Sequence, residues 1–220
     1  MKRFISLTAL AAAATLPAMA ADVPGKTSFA LRASTLGFGA ELAHTLPIAN
    51  LTGRVAWNGY TYETSDTIEG VAYDVELDLS SITALVDWRP WGTVTHFTAG
   101  LVFNSNEFGA LGQPAGTYTI GGMTFSATDV GNLTGRTTFD DVVPYAGLGW
   151  NIPIAPKTAL SLELGVVFQG APSVTLEADG LLATDPVFQA ELEAERAEFE
   201  QDIKDYEYYP VLGIGVSRKF

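Results

Sequence analysis

The C-terminal segment Tyr209–Phe220 alternates between two kinds of side chain and ends on an aromatic residue. One set is mostly apolar and the other is small or polar: Leu212, Ile214, Val216 and Arg218 against Gly213, Gly215, Ser217 and Lys219. A strand with this alternation and a terminal aromatic is typical of the last strand of an outer-membrane β-barrel. The segment therefore predicts a barrel, and with it an exported chain.

The N-terminus predicts that export. A basic tip at Lys2 and Arg3 precedes the apolar run Phe4–Leu16, and Ala18 and Ala20 provide the small residues of a cleavage site. This arrangement is typical of a cleaved signal peptide. An N-terminal membrane anchor is the alternative, but the apolar run is short for a membrane span.

We therefore assign residues 1–20 to a signal peptide and residues 21–220 to one barrel domain. Loss of Lys2 and Arg3 lowers the formal net charge of −13 by two, to −15. So acidic a chain should repel nucleic acid. The absence of cysteine excludes disulfides, thiolate metal sites and cysteine nucleophiles.

Alternation of apolar and polar residues marks further strands. Segments that read as strands are Phe29–Leu46, Leu51–Glu63, Ala72–Trp88, His96–Asn104, Phe139–Ile152, Ala159–Gln169 and Glu207–Phe220. We expect the apolar set of each to face lipid and the other set to face the lumen, because a charge facing lipid at mid-depth costs about 2–4 kcal/mol. Along Val71–Ser80 this assigns Val71, Tyr73, Val75, Leu77 and Leu79 to the lipid face.

Seven segments conflict with the even strand number of single-chain bacterial barrels. The alternation in Phe29–Leu46 changes phase near Ser34–Gly37. A tight turn at Thr35–Gly37 would split the segment into two strands and give eight, whereas a β-bulge would leave seven. Parity favours the turn, and we predict an all-β, eight-stranded antiparallel transmembrane barrel with one extracellular loop helix.

The connections between the strands alternate in length. The short, proline-containing segments Pro47–Asn50, Arg89–Thr93 and Pro153–Lys157 are predicted periplasmic turns, and both termini are then periplasmic. The longer polar segments Thr64–Gly70, Ser105–Thr138 and Gly170–Tyr206 are predicted extracellular loops.

Two of these loops carry structure of their own. Gly121 and Gly122 predict a hairpin within Thr117–Phe125. Asp185–Lys204 predicts a helix capped by Asp185, with Pro186 at its first position. Its apolar stripe is Phe188, Leu192, Phe199 and Ile203.

Several short motifs, in their order and spacing, resemble one family. They are Thr35–Gly39, Trp57–Gly59, Tyr73–Asp74, Arg89–Gly92, Pro144–Gly149, Gly170–Leu176 and Tyr209–Val211. From about Leu31 to Phe220 the chain resembles the ornithine-uptake porin (CarO-type) family of small outer-membrane β-barrel proteins. The resemblance implies an eight-stranded monomeric barrel that admits small amino acids, notably glycine and ornithine. It implies no particular substrate-binding residue.

Charged residues predicted to point inward are the candidates for a permeation path: Arg32, Glu41, Arg54, Asp74, Glu76, Asp78, His96 and Glu163. Asp74, Glu76 and Asp78 would form an acidic wall that attracts cations. Alternatively the inward charges neutralise one another as a plug, since an eight-stranded barrel is just wide enough for side chains to fill.

The sequence predicts no enzyme, cofactor or metal site. His96 could act as a general base, but the sequence offers no convincing nucleophile and no orienting partner beside it, since position 98 is a threonine. With two histidines and no cysteine, only carboxylate sites for hard cations are available. The acidic helix and the pair Asp140–Asp141 are more simply explained as solvated surface.

Together these features predict a monomer in the outer membrane of a Gram-negative bacterium, in contact with lipid and lipopolysaccharide. The C-terminal strand ending in Phe220 would be recognised by the barrel-assembly machinery. We expect a passive channel for small polar solutes such as zwitterionic or cationic amino acids. The alternative is a closed structural or adhesive barrel that acts through its extracellular loops.

Overall fold

The computed structural model describes residues 26–48, 50–68, 71–113 and 116–220. The predicted signal peptide lies outside the described residues. The strands are β1 (Thr27–Ser34), β2 (Gly37–Thr45), β3 (Leu51–Ile68), β4 (Val71–Trp88), β5 (Thr95–Asn104), β6 (Glu107–Gln113), β7 (Thr117–Ile120), β8 (Met123–Ser126), β9 (Leu133–Thr138), β10 (Val142–Ala155), β11 (Thr158–Phe168), β12 (Ser173–Ala178) and β13 (Tyr208–Lys219). The helices are α1 (Ala127–Val130) and α2 (Pro186–Ile203).

Eight of these strands form a closed ring. The hydrogen-bonded order is β1-β2-β3-β4-β5-β10-β11-β13, and β13 pairs with β1 to close it. Every neighbouring pair is antiparallel. The fold class predicted from the sequence, an eight-stranded antiparallel barrel, is confirmed. We call the end that carries Thr27 and Lys219 the terminal end and the opposite one the loop end.

The eighth strand comes from the tight turn predicted inside Phe29–Leu46. Ser34 pairs with Gly37, so Thr35 and Leu36 alone form the turn. Gly37 has a φ of 104°, and a Cβ there would collide with the backbone of Gly59 at 2.7 Å. Both facts require glycine at the position. The predicted hairpin is confirmed and the β-bulge alternative is wrong.

The predicted alternation holds around most of the ring. On β3 the inward residues Thr52, Arg54 and Asn58 are buried, while Val55 and Trp57 are exposed on the outside. The same division separates inward His96, Thr98, Glu163, Val167 and Val211 from outward Phe97, Leu101, Leu164, Leu212 and Ile214. The outer wall is therefore apolar and the inner wall largely polar, which is the pattern of a barrel that crosses lipid.

Strand β4 corrects one prediction. Its inward residues are odd-numbered, because Ser81, Leu85 and Asp87 are buried while Ile82 and Val86 are exposed. The pairing with β3 continues without a register shift to the loop end of the strand, so the same phase applies throughout. The predicted lipid face, Tyr73, Leu77 and Leu79 included, is therefore the inner face. Asp74, Glu76 and Asp78 lie on the outer face, and their predicted place in the lumen is wrong.

The segments predicted as extracellular loops contain a second sheet. Beyond the barrel, β3 and β4 continue side by side, and β4 pairs with β6, β6 with β9, and β9 with β12. We call this five-stranded extension the loop-end sheet. It arises because β6 follows β5 after a bend, where the Ser80 N–H donates to Asn106 Oδ1 at 2.9 Å and the Ser105 N–H donates to Ser80 O. Both strands thus pair with β4, one after the other.

The loop-end sheet has its own hydrophobic core on its inner face. Tyr73, Leu133, Leu176 and Ala178 of the sheet pack against a buried cluster formed by Tyr118, Ile120, Ala127, Val130, Phe188 and Leu192. This cluster joins the hairpin β7–β8, the turn α1 and the helix α2. The predicted hairpin at Gly121–Gly122 is confirmed.

Helix α2 is also confirmed, with Asp185 accepting hydrogen bonds from the Val187 and Phe188 N–H groups. Its predicted apolar stripe is only partly buried, because Phe188 and Leu192 pack in the core while Phe199 is exposed. No helix among the described residues is long and apolar enough to cross a membrane.

Substitution of Gly165 should destabilise the barrel. A Cβ at Gly165 would overlap the Tyr145 side chain, so we expect Gly165→Ala to lower the free energy of unfolding by about 1–3 kcal/mol through overpacking. The matched control is Gly53→Ala, where the nearest atom to a new Cβ is Leu46 Cδ2 at 3.9 Å. Urea unfolding in detergent micelles, followed by tryptophan fluorescence, measures both. Equal stability of the two variants would contradict this packing.

Candidate functional site in the barrel interior

The barrel interior is organised in three layers along its axis. From the terminal end these are an open chamber of mixed polarity, a belt of paired charges and an apolar layer. We call them the vestibule, the charge belt and the apolar layer. Together they determine what a solute would meet on its way through the barrel.

The vestibule is a cavity of about 210 Å³. Lys26, Lys157 and Lys219 line it at the terminal end, where β1, β11 and β13 begin or end. Hydroxyl groups of Ser28, Thr45, Thr52, Ser161 and Ser217 line its walls. Its inner lining consists of charged residues of the belt: Glu41, Arg54, Asp87, Arg89 and Glu163. Apolar residues, among them Val94, Pro153 and Leu162, also line it. The vestibule is thus of mixed polarity, with basic groups around its mouth and charged groups at its inner end.

Arg54 is the centre of the charge belt. Its Nε donates to Asp87 Oδ1 at 2.9 Å and its Nη1 donates to Glu41 Oε2 at 2.8 Å. It also bonds both carboxylate oxygens of Glu163, at 3.2 and 3.3 Å. Three carboxylates from three other strands therefore converge on one guanidinium, which uses the fork of donors that distinguishes arginine from lysine.

A second arginine closes the belt on the other side. Arg32 forms ion pairs with Glu41 and Glu163. The Tyr145 hydroxyl donates to Glu163 Oε1. Counting Arg32, Arg54 and Arg89 against Glu41, Asp87 and Glu163, the belt has three positive and three negative groups and is neutral. Charges buried at this depth require such pairing, because an isolated one is strongly destabilising.

Asp87 connects the belt to the vestibule and is 1% exposed. Its Oδ1 accepts from Thr98 Oγ1 at 2.8 Å as well as from Arg54. Its Oδ2 is 3.6 Å from His96 Nε2 and 3.8 Å from Arg89 Nη2. These last two distances are longer than a direct hydrogen bond.

His96 is buried beside this carboxylate, and its ring lies over Gly149, where a Cβ would overlap it. Its Nδ1 has no hydrogen-bond partner among the described residues. Thr98, two positions along β5, is already bonded to Asp87 and Arg54. His96 and Thr98 are thus parts of a polar wall, and Thr98 is not held as a nucleophile by His96.

The apolar layer lies on the loop-end side of the belt. Leu36, from the β1–β2 turn, is 5% exposed and packs with Leu85, Val102, Val143, Tyr145, Val167 and Val211. The hairpin β1–β2 is short, so its turn folds over the interior instead of rising above the ring. Thr35 holds it there, with its N–H donating to Leu212 O at 3.0 Å and its Oγ1 to Pro210 O at 2.9 Å.

Five of the eight candidate residues meet in this interior, namely Arg32, Glu41, Arg54, His96 and Glu163. Asp74, Glu76 and Asp78 do not. They lie on the outer face of the loop-end sheet, opposite Ser65, Glu63 and Thr61. Their role in permeation, like that of the other five, remains a prediction.

Sequence reasoning missed Asp87, Arg89, Tyr145 and Leu36. Asp87 was overlooked because β4 was read in the wrong phase. A signal was present, since Ile82, Ala84, Val86 and Trp88 form an apolar set in the opposite phase to Tyr73–Leu79. No comparable signal marks Leu36, whose position depends on the turn. Among the described residues, no group of three or more His, Asp or Glu side chains is arranged to hold a metal ion.

Removal of Arg54 should be far more costly than removal of an exposed arginine. Arg54→Met leaves Asp87, Glu41 and Glu163 without their shared partner, so we expect the free energy of unfolding to fall by about 3–5 kcal/mol. The control is Arg136→Met, which removes an exposed pair with Glu107 and should cost about 1 kcal/mol or less. Urea titration in micelles compares them, and similar losses would show that the belt contributes no special stability.

Comparison with known proteins supports the architecture. No protein-family model and no curated protein sequence matches the chain. The crystal structure of CarO from Acinetobacter baumannii matches with a TM-score of 0.58 and 21% identity, over 90% of this chain and 98% of CarO. That of Acinetobacter baumannii CarO2 matches with a TM-score of 0.59 and 19% identity, over 90% of this chain and 100% of CarO2. The chain therefore has the fold of the CarO-type small outer-membrane β-barrels.

Proposed function

We propose that this barrel lies in the outer membrane with its terminal end in the periplasm, as a slow, passive channel for small polar solutes. Its preferred solutes are zwitterionic or cationic amino acids. Support for the membrane location comes from the outer wall, where Leu31, Phe38, Trp57 and Leu212 are each more than half exposed. Exposed apolar surface of this extent indicates contact with lipid.

The observation that carries the proposal is that the vestibule ends on charges of both signs. A zwitterionic amino acid brings one ammonium and one carboxylate group. The ammonium can take the place of a guanidinium beside Glu41 or Glu163, and the carboxylate can take the place of those residues beside Arg54. Exchange of partners of equal charge avoids leaving a buried charge unpaired, which is the main cost of opening such a network.

In the conformation described here the path is closed at two places. The charge belt is fully paired, and Leu36 fills the apolar layer. Passage then requires movement of the β1–β2 turn, whose links to β13 run through Thr35 and Tyr209. The turn is held both by these hydrogen bonds and by the packing of Leu36, so it can open locally only by breaking both. We therefore expect low conductance with rare openings.

Liposome swelling tests the solute preference. Proteoliposomes should swell faster than protein-free liposomes in glycine and in ornithine. The same proteoliposomes should swell more slowly in a size-matched anion than in either amino acid. The reason is that an anion without an ammonium group leaves the carboxylates of the belt unpaired when it displaces them. Rates equal to those of protein-free liposomes for all three solutes would remove the proposal.

Shortening Leu36 should open the path. Leu36→Ala removes the side chain that the turn inserts between Val102, Val143 and Val211, so we expect the swelling rate to rise several-fold. The matched control is Leu42→Ala on the neighbouring strand, whose side chain points outward and is 56% exposed. Heat-modifiable migration on gels verifies that both variants are folded. An unchanged rate in folded Leu36→Ala would argue against the turn as the gate.

A second candidate function is favoured by one observation: the loop-end sheet has a hydrophobic core separate from the barrel interior. A closed barrel could serve as an anchor that displays this sheet in adhesion or in the integrity of the envelope. Planar-bilayer recordings separate the two functions. Conductance steps in the wild type that become more frequent in Leu36→Ala support the channel, and no steps in either support the closed anchor.

A further inference from the structure

The two edges of the loop-end sheet differ in whether another element covers them. At one edge, helix α2 covers β12, and the Val174 N–H donates to Glu200 Oε1 at 2.9 Å. This bond lowers the pKa of the Glu200 carboxyl below its ordinary value. At the other edge, β3 pairs with β2 only as far as Gly59, opposite Phe38. From Tyr60 to Ile68 it pairs with β4 alone among the described residues.

The free part of β3 is long and prone to further pairing. In an antiparallel ladder every second residue directs its N–H and C=O away from the existing neighbour. Tyr60, Thr61, Tyr62 and Thr64 are residue types that favour strands, and the stretch contains neither proline nor lysine. Natural proteins usually protect such edges with those residues or with a covering element. Among the residues that the structure describes, the covering element lies at the opposite edge.

Charge on the outer face of this edge specifies the partner. Glu63 lies directly opposite Glu76, with Asp74 and Asp78 on either side of Glu76 along β4. Like charges directly opposite one another in a sheet are destabilising. The basic residue that the described strands place on this face, Arg136, is engaged with Glu107. A further strand beside β3 would place its own side chain about 5 Å from Glu63, and a lysine or arginine there would relieve the repulsion.

We propose that the free edge of β3 from Tyr60 to Ser65 is a docking site for an extended basic peptide segment, which adds to the loop-end sheet as a sixth strand. Backbone hydrogen bonds supply the affinity, and alternate basic side chains facing Glu63 supply the specificity. The exposed rings of Tyr60 and Tyr62 on the other face contact the intervening side chains. A second copy of this chain is the poorer partner, since it would bring another acidic row to the same edge.

Fluorescence anisotropy with labelled peptides tests this proposal on the folded, full-length protein in nonionic micelles. The probe is a peptide of about nine residues that alternates lysine and threonine, matched to the length of the free edge. One control peptide replaces lysine with glutamate. The other keeps lysine but carries N-methyl groups on alternate backbone amides, which preserves its charge and removes the hydrogen bonds of an added strand.

We expect the lysine peptide to bind, and both control peptides to bind at least about tenfold more weakly. In the protein, Glu63→Gln should weaken binding by about threefold or more. The matched control Glu177→Gln removes the same charge from an exposed position on the outer face of β12, at the protected edge, and should change binding less than twofold.

Three results would overturn the proposal. If the N-methylated peptide bound as tightly as the unmethylated lysine peptide, the binding would be explained by adsorption to an acidic surface without strand addition. Equal weakening by Glu177→Gln and Glu63→Gln would show that the charge acts without regard to the edge. Concentration-dependent dimerisation that blocks peptide binding would assign the edge to a second copy. None of these measurements depends on whether the barrel conducts solutes.

Discussion

Closure of the backbone hydrogen-bond ladder between β1 and β13 is the constraint on which the rest of this structure depends. Without that seam two strands would carry unpaired amides, which lipid cannot satisfy. The seam runs from Ser28 opposite Lys219 to Ser34 opposite Gly213, and thereby sets the ring at eight strands. An eight-stranded ring leaves an interior about as wide as the side chains that fill it. The paired charges and the apolar layer are consequences of that width.

The structure contains two sheets with opposite polarity that share the strands β3 and β4. In the barrel the outer face is apolar and the inner face polar, since the solvent outside is lipid. In the loop-end sheet the outer face carries Glu63, Asp74 and Asp78, while Tyr73 and Leu133 pack inward. The strands pass through this change without a register shift. The exchange of apolar and polar faces is therefore caused by the different surroundings of the two halves of each strand, and the backbone itself does not change phase.

The barrel interior contains both a network of paired charges and a turn that blocks the lumen. Arg54 holds three carboxylates, and Arg32 and Arg89 complete a neutral set. A network of this kind stabilises the barrel only while every member is present. It also gives a polar solute a place to exchange partners, provided that the Thr35–Leu36 turn can move aside. Stability and slow permeation are therefore linked through the same residues in the proposed mechanism.

The sequence determined the barrel, its strand number and most of its faces, because alternation with a period of two is a local property of a strand. It also determined the Gly121–Gly122 hairpin and the capped helix. It misplaced Asp74, Glu76 and Asp78, because an apolar set indicates burial without saying whether lipid or protein buries it. Only the tertiary structure decided which charges meet, since Arg54 and Glu163 are 109 positions apart. Arg54 and Glu163 lie on strands that are not neighbours in the ring and meet across the lumen. Which side chains meet there depends on the closure and stagger of the whole ring, and no local sequence pattern determines it.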